Sequence, residues 1–171
     1  MPASSLQPDS LQPGHFNHIA LPTADAEGGA RFYCDVLGFR LVPRPTFSFD
    51  GRWLYRKQAG VMIHLIHDAN HQRSKAPMNT RGHHFAMQSP DIDADLKRLT
   101  DHGIETLERV LPNYDSSETG DQSTTGYRQV FFQDPDGHVI EIGEWPAVAD
   151  MVVADMVVED TNAIGHSEQE A

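Results

Sequence analysis

The sequence predicts an α+β fold built from two paired βαβββ modules, and three observations carry that prediction. Short runs alternate apolar and polar residues with the period of a strand. Two stretches instead place apolar residues at helical spacing behind a capping residue. The order strand, helix, three strands then occurs twice with matching residues at matching places.

The first strand is expected in HFNHIAL (15–21). Thr23-Ala24-Asp25 opens a helix to about Leu37, in which Ala26, Ala30, Tyr33 and Leu37 share a face. Gly38 ends it, as glycine does just past a helix C-terminus. Strands follow at FRLV (39–42), RWLYRK (52–57) and VMIHLI (61–66). After a polar linker (67–80) the order repeats. HHFAM (83–87) is a strand, and Ser89-Pro90-Asp91 opens a helix with Ser89 as N-cap and Pro90 at its first position. Ile92, Leu96 and Leu99 form the apolar face of that helix, and Gly103 closes it. ETLERV (105–110), YRQVFFQ (127–133) and HVIEIG (138–143) complete the second set, the last two joined by the turn Asp134-Pro135-Asp136-Gly137.

Superposing the halves aligns His18-Ile19-Ala20 with His84-Phe85-Ala86, Asp25 with Asp91, and Gly38-Phe39 with Gly103-Ile104. Ile63-His64-Leu65 aligns with Ile140-Glu141-Ile142. The chain then divides into a disordered lead-in (1–14), one domain over 15–146 with module one at 15–69 and module two at 80–146, and an acidic tail (147–171).

Composition narrows the function. With 13 basic against 25 acidic residues the formal charge is −12, which gives little attraction for nucleic acid or an anionic membrane. The single cysteine, Cys34, excludes an intrachain disulfide and suits a reducing, cytoplasmic setting. The N-terminal residues lack the basic start and apolar stretch of a signal peptide. The unusual count is ten histidines.

Strand alternation singles out three of them. Ile19 and Leu21 point one way and His18 the other; Ile63 and Leu65 oppose His64; Phe85 and Met87 oppose His84; Ile140 and Ile142 oppose Glu141. If each module packs its apolar set beneath its helix, His18, His64, His84 and Glu141 are left on the other face, with Ala20 and Ala86 leaving space beside them. The modules are then expected to form a curved mixed sheet around a metal-binding cleft. One divalent transition metal (Zn, Ni, Fe, Co or Mn) satisfies three imidazoles and a carboxylate at once, whereas Ca and Mg prefer all-oxygen sites. His83, one residue from His84, falls on the opposite strand face; His67 is the best of the remaining histidines for a supporting role, and Cys34 reads as core.

NHIAL, RFYCDVLGFRLV, GHHFAM with its following helix, and FFQDPDGHVIEIGE resemble the vicinal oxygen chelate superfamily over about residues 15–145. That superfamily includes glyoxalase I, bleomycin-resistance proteins and extradiol dioxygenases. The layout is most similar to glyoxalase-I-like members. The resemblance implies metal ligands at His18, His64, His84 and Glu141, a small-molecule substrate chelated through vicinal oxygens, and a homodimer. It gives Glu141 a catalytic role in moving a proton while the metal stabilises an enediolate. It leaves Arg81 and Tyr127 as candidate substrate contacts. The chain departs from the pattern at His64, where a Glu or Gln is usual, and at Pro22, where an arginine is expected. The same resemblance implies two rivals. One is an extradiol-type ring-cleaving dioxygenase using Fe(II), with His64 as acid/base and Phe132 where such enzymes carry a tyrosine. The other is a non-catalytic protein that binds a small molecule such as an antibiotic.

Overall fold

The computed structural model describes residues 15–111 and 127–144. The lead-in over 1–14, residues 112–126 between the strands expected at 105–110 and 127–133, and the tail over 147–171 lie outside the described residues, as do 145 and 146. The chain contains β1 (His18–Thr23), α1 (Ala26–Asp35), β2 (Arg40–Val42), β3 (Gly51–Arg56) and β4 (Val61–His67). The series then repeats as β5 (His84–Gln88), α2 (Ile92–Asp101), β6 (Leu107–Leu111), β7 (Tyr127–Gln133) and β8 (Val139–Gly143). Each set forms its own four-stranded mixed sheet, ordered β1-β4-β3-β2 and β5-β8-β7-β6. β1 runs parallel to β4, and β5 to β8. The remaining registers that are defined, β2 with β3, β3 with β4 and β6 with β7, are antiparallel.

Both helices begin on an aspartate. The Asp25 carboxylate accepts hydrogen bonds from the amides of Glu27 and Gly28, and Asp91 accepts from Ala94 at 3.0 Å. Such a cap contributes about 0.5–2 kcal/mol. Asp91 rather than Ser89 is therefore the N-cap of α2, and Pro90 precedes the cap instead of opening the helix. The Ser89 hydroxyl donates instead to Asp95, at 2.7 Å. Gly38 and Gly103 end their helices at φ 69° and 67°, a conformation that other residues adopt only with strain.

The described residues form two compact units, one running up to Met78 and including Gln133–His138, the other running from Asn79 to Phe132 and from Val139 onward. In the first, the helix face predicted from spacing is buried together with Phe39, Leu54, Ile63 and Leu65. In the second, Ile92, Leu99, Val130, Phe132, Ile140 and Ile142 are buried. Full burial of such a side chain stabilises by about 1.5–3 kcal/mol.

The turn between β7 and β8 belongs to the first unit and is held there by polar contacts. The hydroxyl of Tyr33, wholly buried on α1, donates to Asp134 Oδ2 at 2.9 Å. Asp134 Oδ1 accepts from the amides of Asp136 and His138 at 3.0 and 2.8 Å. Asp136 accepts from the Thr23 hydroxyl at 2.6 Å and from the Ala24 amide at 3.0 Å. Burial pushes the Tyr33 phenol well above its ordinary pKa, and the neighbouring Asp134 charge adds to the shift. Burial also raises Asp134. Among the described residues no helix is long and apolar enough to cross a membrane.

Candidate metal centre

The four sequence-predicted ligands are brought together as two pairs, one in each unit. Among the described residues no three His, Cys, Asp or Glu side chains cluster in a metal-holding group.

In the first unit, the register sets Ala20 opposite His64 and His64 opposite Trp53. Because Ala20 is small, the ring of His18, two residues earlier on the same strand face, lies flat against His64. The centroids are 4.0 Å apart and the planes differ by 16°. Trp53 covers the other side of His64 at 4.3 Å and 7°. His18 Nδ1 is 2.9 Å from the side-chain oxygen of Asn17, and donating its proton there leaves Nε2 as a lone pair. His64 Nε2 is buried without a hydrogen-bond partner. An unsatisfied buried polar atom costs about 1–3 kcal/mol, and a metal ion is one partner that would remove that cost. Burial lowers the His64 pKa, with the nearby His18 and Arg44 acting in the same direction. The ring is thereby favoured in the neutral form that ligates metals.

In the second unit, Ala86 is opposite Glu141, again leaving room on the strand face. Glu141 is only 3% exposed, and its Oε1 accepts from Gln129 Nε2 at 2.7 Å. Its Oε2 lies 3.1 Å from His84 Nε2. His84 Nδ1 is 2.8 Å from the Gly82 carbonyl, an oxygen that can only accept, so the Nδ1 proton is fixed there. The contact between His84 Nε2 and this carboxylate oxygen is favourable only with a proton or a cation between the two atoms. The 3.1 Å separation is close to the spacing of about 3 Å between neighbouring ligands held some 2.1 Å from one ion at right angles. Imidazole and carboxylate donors of the kind found in each pair suit a transition metal.

The remaining candidates are placed as follows. Arg81 is exposed in the loop before β5, its amide bonded to Asn79. Tyr127 opens β7 and pairs with Leu111. Alternation puts Tyr127, Gln129 and Phe131 on one face of β7, and Phe131 meets the His84 ring edge-on at 5.8 Å. Phe132 points the other way and is buried, so its lack of a phenol says nothing about the chemistry at Glu141. His67 closes β4 on the face opposite His64, whereas Asn17 hydrogen-bonds His18 and Gln129 hydrogen-bonds Glu141. Neither Asn17 nor Gln129 stands out in sequence, although Asn17 adjoins His18 and Gln129 sits on an alternating strand. Arg44 also escaped notice. Cys34 is partly exposed, and its thiol pKa is raised first by burial and then by Asp35, which makes it a poor nucleophile.

The profile described as the Glyoxalase/Bleomycin resistance protein/Dioxygenase superfamily matches residues 15–142. A protein of Arabidopsis thaliana named Glyoxylase I 4 is 28% identical over 141 residues, covering 80% of this chain and 76% of that protein. The crystal structure of the glyoxalase family protein from Enterococcus faecalis superposes with TM-score 0.58 at 22% identity, over 76% of this chain and 97% of the other. TnmS3, an antibiotic binding protein from Streptomyces sp. CB03234, superposes with TM-score 0.53 at 22% identity, over 78% and 97%. At these identities the two structures speak for the fold alone.

Proposed function

Because the chain belongs to the glyoxalase/bleomycin resistance protein/dioxygenase superfamily, we propose that it is a metal-dependent lyase or isomerase of the glyoxalase I kind. His18 and His64 from the first unit, with His84 and Glu141 from the second, are the ligands of one divalent transition metal. The substrate is a small molecule carrying vicinal oxygens. The observation that carries this reading is the Glu141–His84 pair: a buried carboxylate whose one oxygen is held by Gln129 and whose other lies 3.1 Å from His84 Nε2.

When bound, the metal acts as a Lewis acid that stabilises negative charge developing on the substrate oxygens. The protein supplies the rest. Gln129 fixes the Glu141 carboxylate, so that Oε2 takes a proton from the substrate carbon and returns it to the neighbouring one. Asn17 and the Gly82 carbonyl hold the two strand-opening imidazoles in the tautomer that offers Nε2. A homodimer, by resemblance to the family, and a cytoplasmic location, from the single cysteine, are part of the same reading.

Metal content of protein purified without chelator tests the ligand set. His84→Ala is expected to lose the metal, while His83→Ala keeps it; equal loss in both would overturn the strand register on which the site rests. Oxygen uptake then tests the reaction class. Catechol-dependent oxygen consumption by the Fe(II)-loaded wild type, abolished in His64→Gln with iron retained, would replace the lyase with a ring-cleaving dioxygenase.

A further inference from the structure

The first unit presents more than ligands. From His64 an aromatic row runs outward: Trp53 stacks on His64 at 4.3 Å, Phe47 lies 6.1 Å from Trp53, and Phe49 stacks on Phe47 at 5.2 Å. Phe47 and Phe49 are 43% and 44% exposed, unusual for phenylalanines in a short loop. The Arg44 guanidinium sits over both rings, 4.6 and 5.0 Å from their centroids, and donates to the Phe49 carbonyl at 2.7 Å. Among the described residues it has no carboxylate partner, because Asp50, the nearest acid in sequence, is engaged by Arg52.

Local sequence holds this arrangement. Arg44 lies between Pro43 and Pro45, and a residue before proline is confined to extended backbone. Gly51 brings the start of β3 so close to β4 that a Cβ there would run into the Leu65 carbonyl. A guanidinium fixed over aromatic faces, with donors left over, is poised for an anion lying beside a flat ring.

We infer that this face binds the aromatic body of the substrate, and that the substrate class is a planar aryl anion whose charged group pairs with Arg44 and whose ring stacks along Trp53 and Phe47. This deepens the proposed reading of the same site and rests on it only for the chemistry that follows binding. Trp53 separates that surface from His64 and stacks on the imidazole, so the surface adjoins a proposed metal ligand.

Calorimetric titration of the full chain, chelator-treated and metal-loaded, tests this with three probes: 2-naphthoate, the neutral 2-naphthalenemethanol, and the non-planar cyclohexanecarboxylate. Naphthoate should bind the chelator-treated protein roughly tenfold more tightly than either comparator, the scale of one charge-assisted hydrogen bond. Arg44→Gln should erase its advantage over the alcohol. Trp53→Leu should weaken both naphthyl probes, and Trp53→Phe should restore part of the binding, which separates lost stacking from misfolding. Equal affinity for all three probes, or a preference unchanged in Arg44→Gln, overturns the inference. So does concentration-dependent self-association that excludes naphthoate, since the aromatic face would then belong to a second copy of this chain. Absence of metal together with intact naphthoate selectivity would sink the metal reading alone. Metal binding without naphthoate selectivity would sink this inference alone.

Discussion

The two sheets share one strand order, yet they solve the problem of a polar residue on a strand face in opposite ways. His64 and Glu141 occupy equivalent places, each opposite an alanine. In the first unit the neighbours of that residue are rings, and His64 Nε2 is left without a partner. In the second the neighbours are hydrogen-bonding groups, and both Glu141 oxygens are engaged. The helices differ too. Tyr33 on α1 falls at the repeat position of Leu99 on α2, so only the first unit needs an acceptor beneath its helix, and Asp134 provides it. A repeat can therefore keep its backbone while its halves specialise, one for stacking and one for ionic work.

The largest way to break this comparison is Asp134→Ala. Three donors lose their acceptor, one of them the buried Tyr33 hydroxyl, and the loss should be about 3 kcal/mol in chemical denaturation. A loss under about 1 kcal/mol would mean that the turn is held by something other than its aspartate. Gln129→Leu comes next. It frees one oxygen of a buried carboxylate, and metal affinity should fall about 10–100-fold, read by competition with a chelator. Asn17→Ala should cost less, a few-fold on the same assay, because it supports an imidazole at an exposed position. If Asn17→Ala proves the more damaging, the first unit dominates the site and the contrast drawn here is reversed.

The smallest effect is on pH. Burial raises the folded-state pKa of Asp134 above its unfolded value. The folded protein therefore binds this proton more tightly, and the associated stability is fully present below the unfolded pKa. It is lost as pH rises from about 4 through the raised value. The melting temperature should decline over that window, and the decline should flatten in Asp134→Asn. Tyr33 acts with the same sign at the alkaline end, its stabilisation fading above pH of about 10.

Much of this was legible in the sequence wherever the determinants are local. Periodicity located both helix faces, the glycines marked both helix ends, and alternation placed His18, His64, His84 and Glu141 on the strand faces where the pairs form. At the second helix the spacing points to Ser89 as the cap, and that reading is wrong: the Asp91 carboxylate, which reaches the Ala94 amide, holds the place. Phe132 is buried on the face of β7 opposite Gln129, a parity that the family resemblance does not carry. Asn17, Gln129 and Arg44 were missed for another reason: what each does depends on a cross-strand or loop neighbour that no local pattern encodes. Tyr33 and Asp134, 101 residues apart in the chain, are the extreme case.

Because Gln133–His138 completes the first unit, the order of the polypeptide and the order of its folding parts do not coincide. A nick between Lys75 and Met78 would sever the covalent link between the halves without removing any contact of that hexapeptide. A gene cut at the same point would express a first fragment that lacks the acceptor for its own buried tyrosine. Such a fragment should be unable to mature until its missing six residues arrive from the other piece. The halves are thus obligate complements, and deletions within 133–138 should be harder to tolerate than a break in the linker.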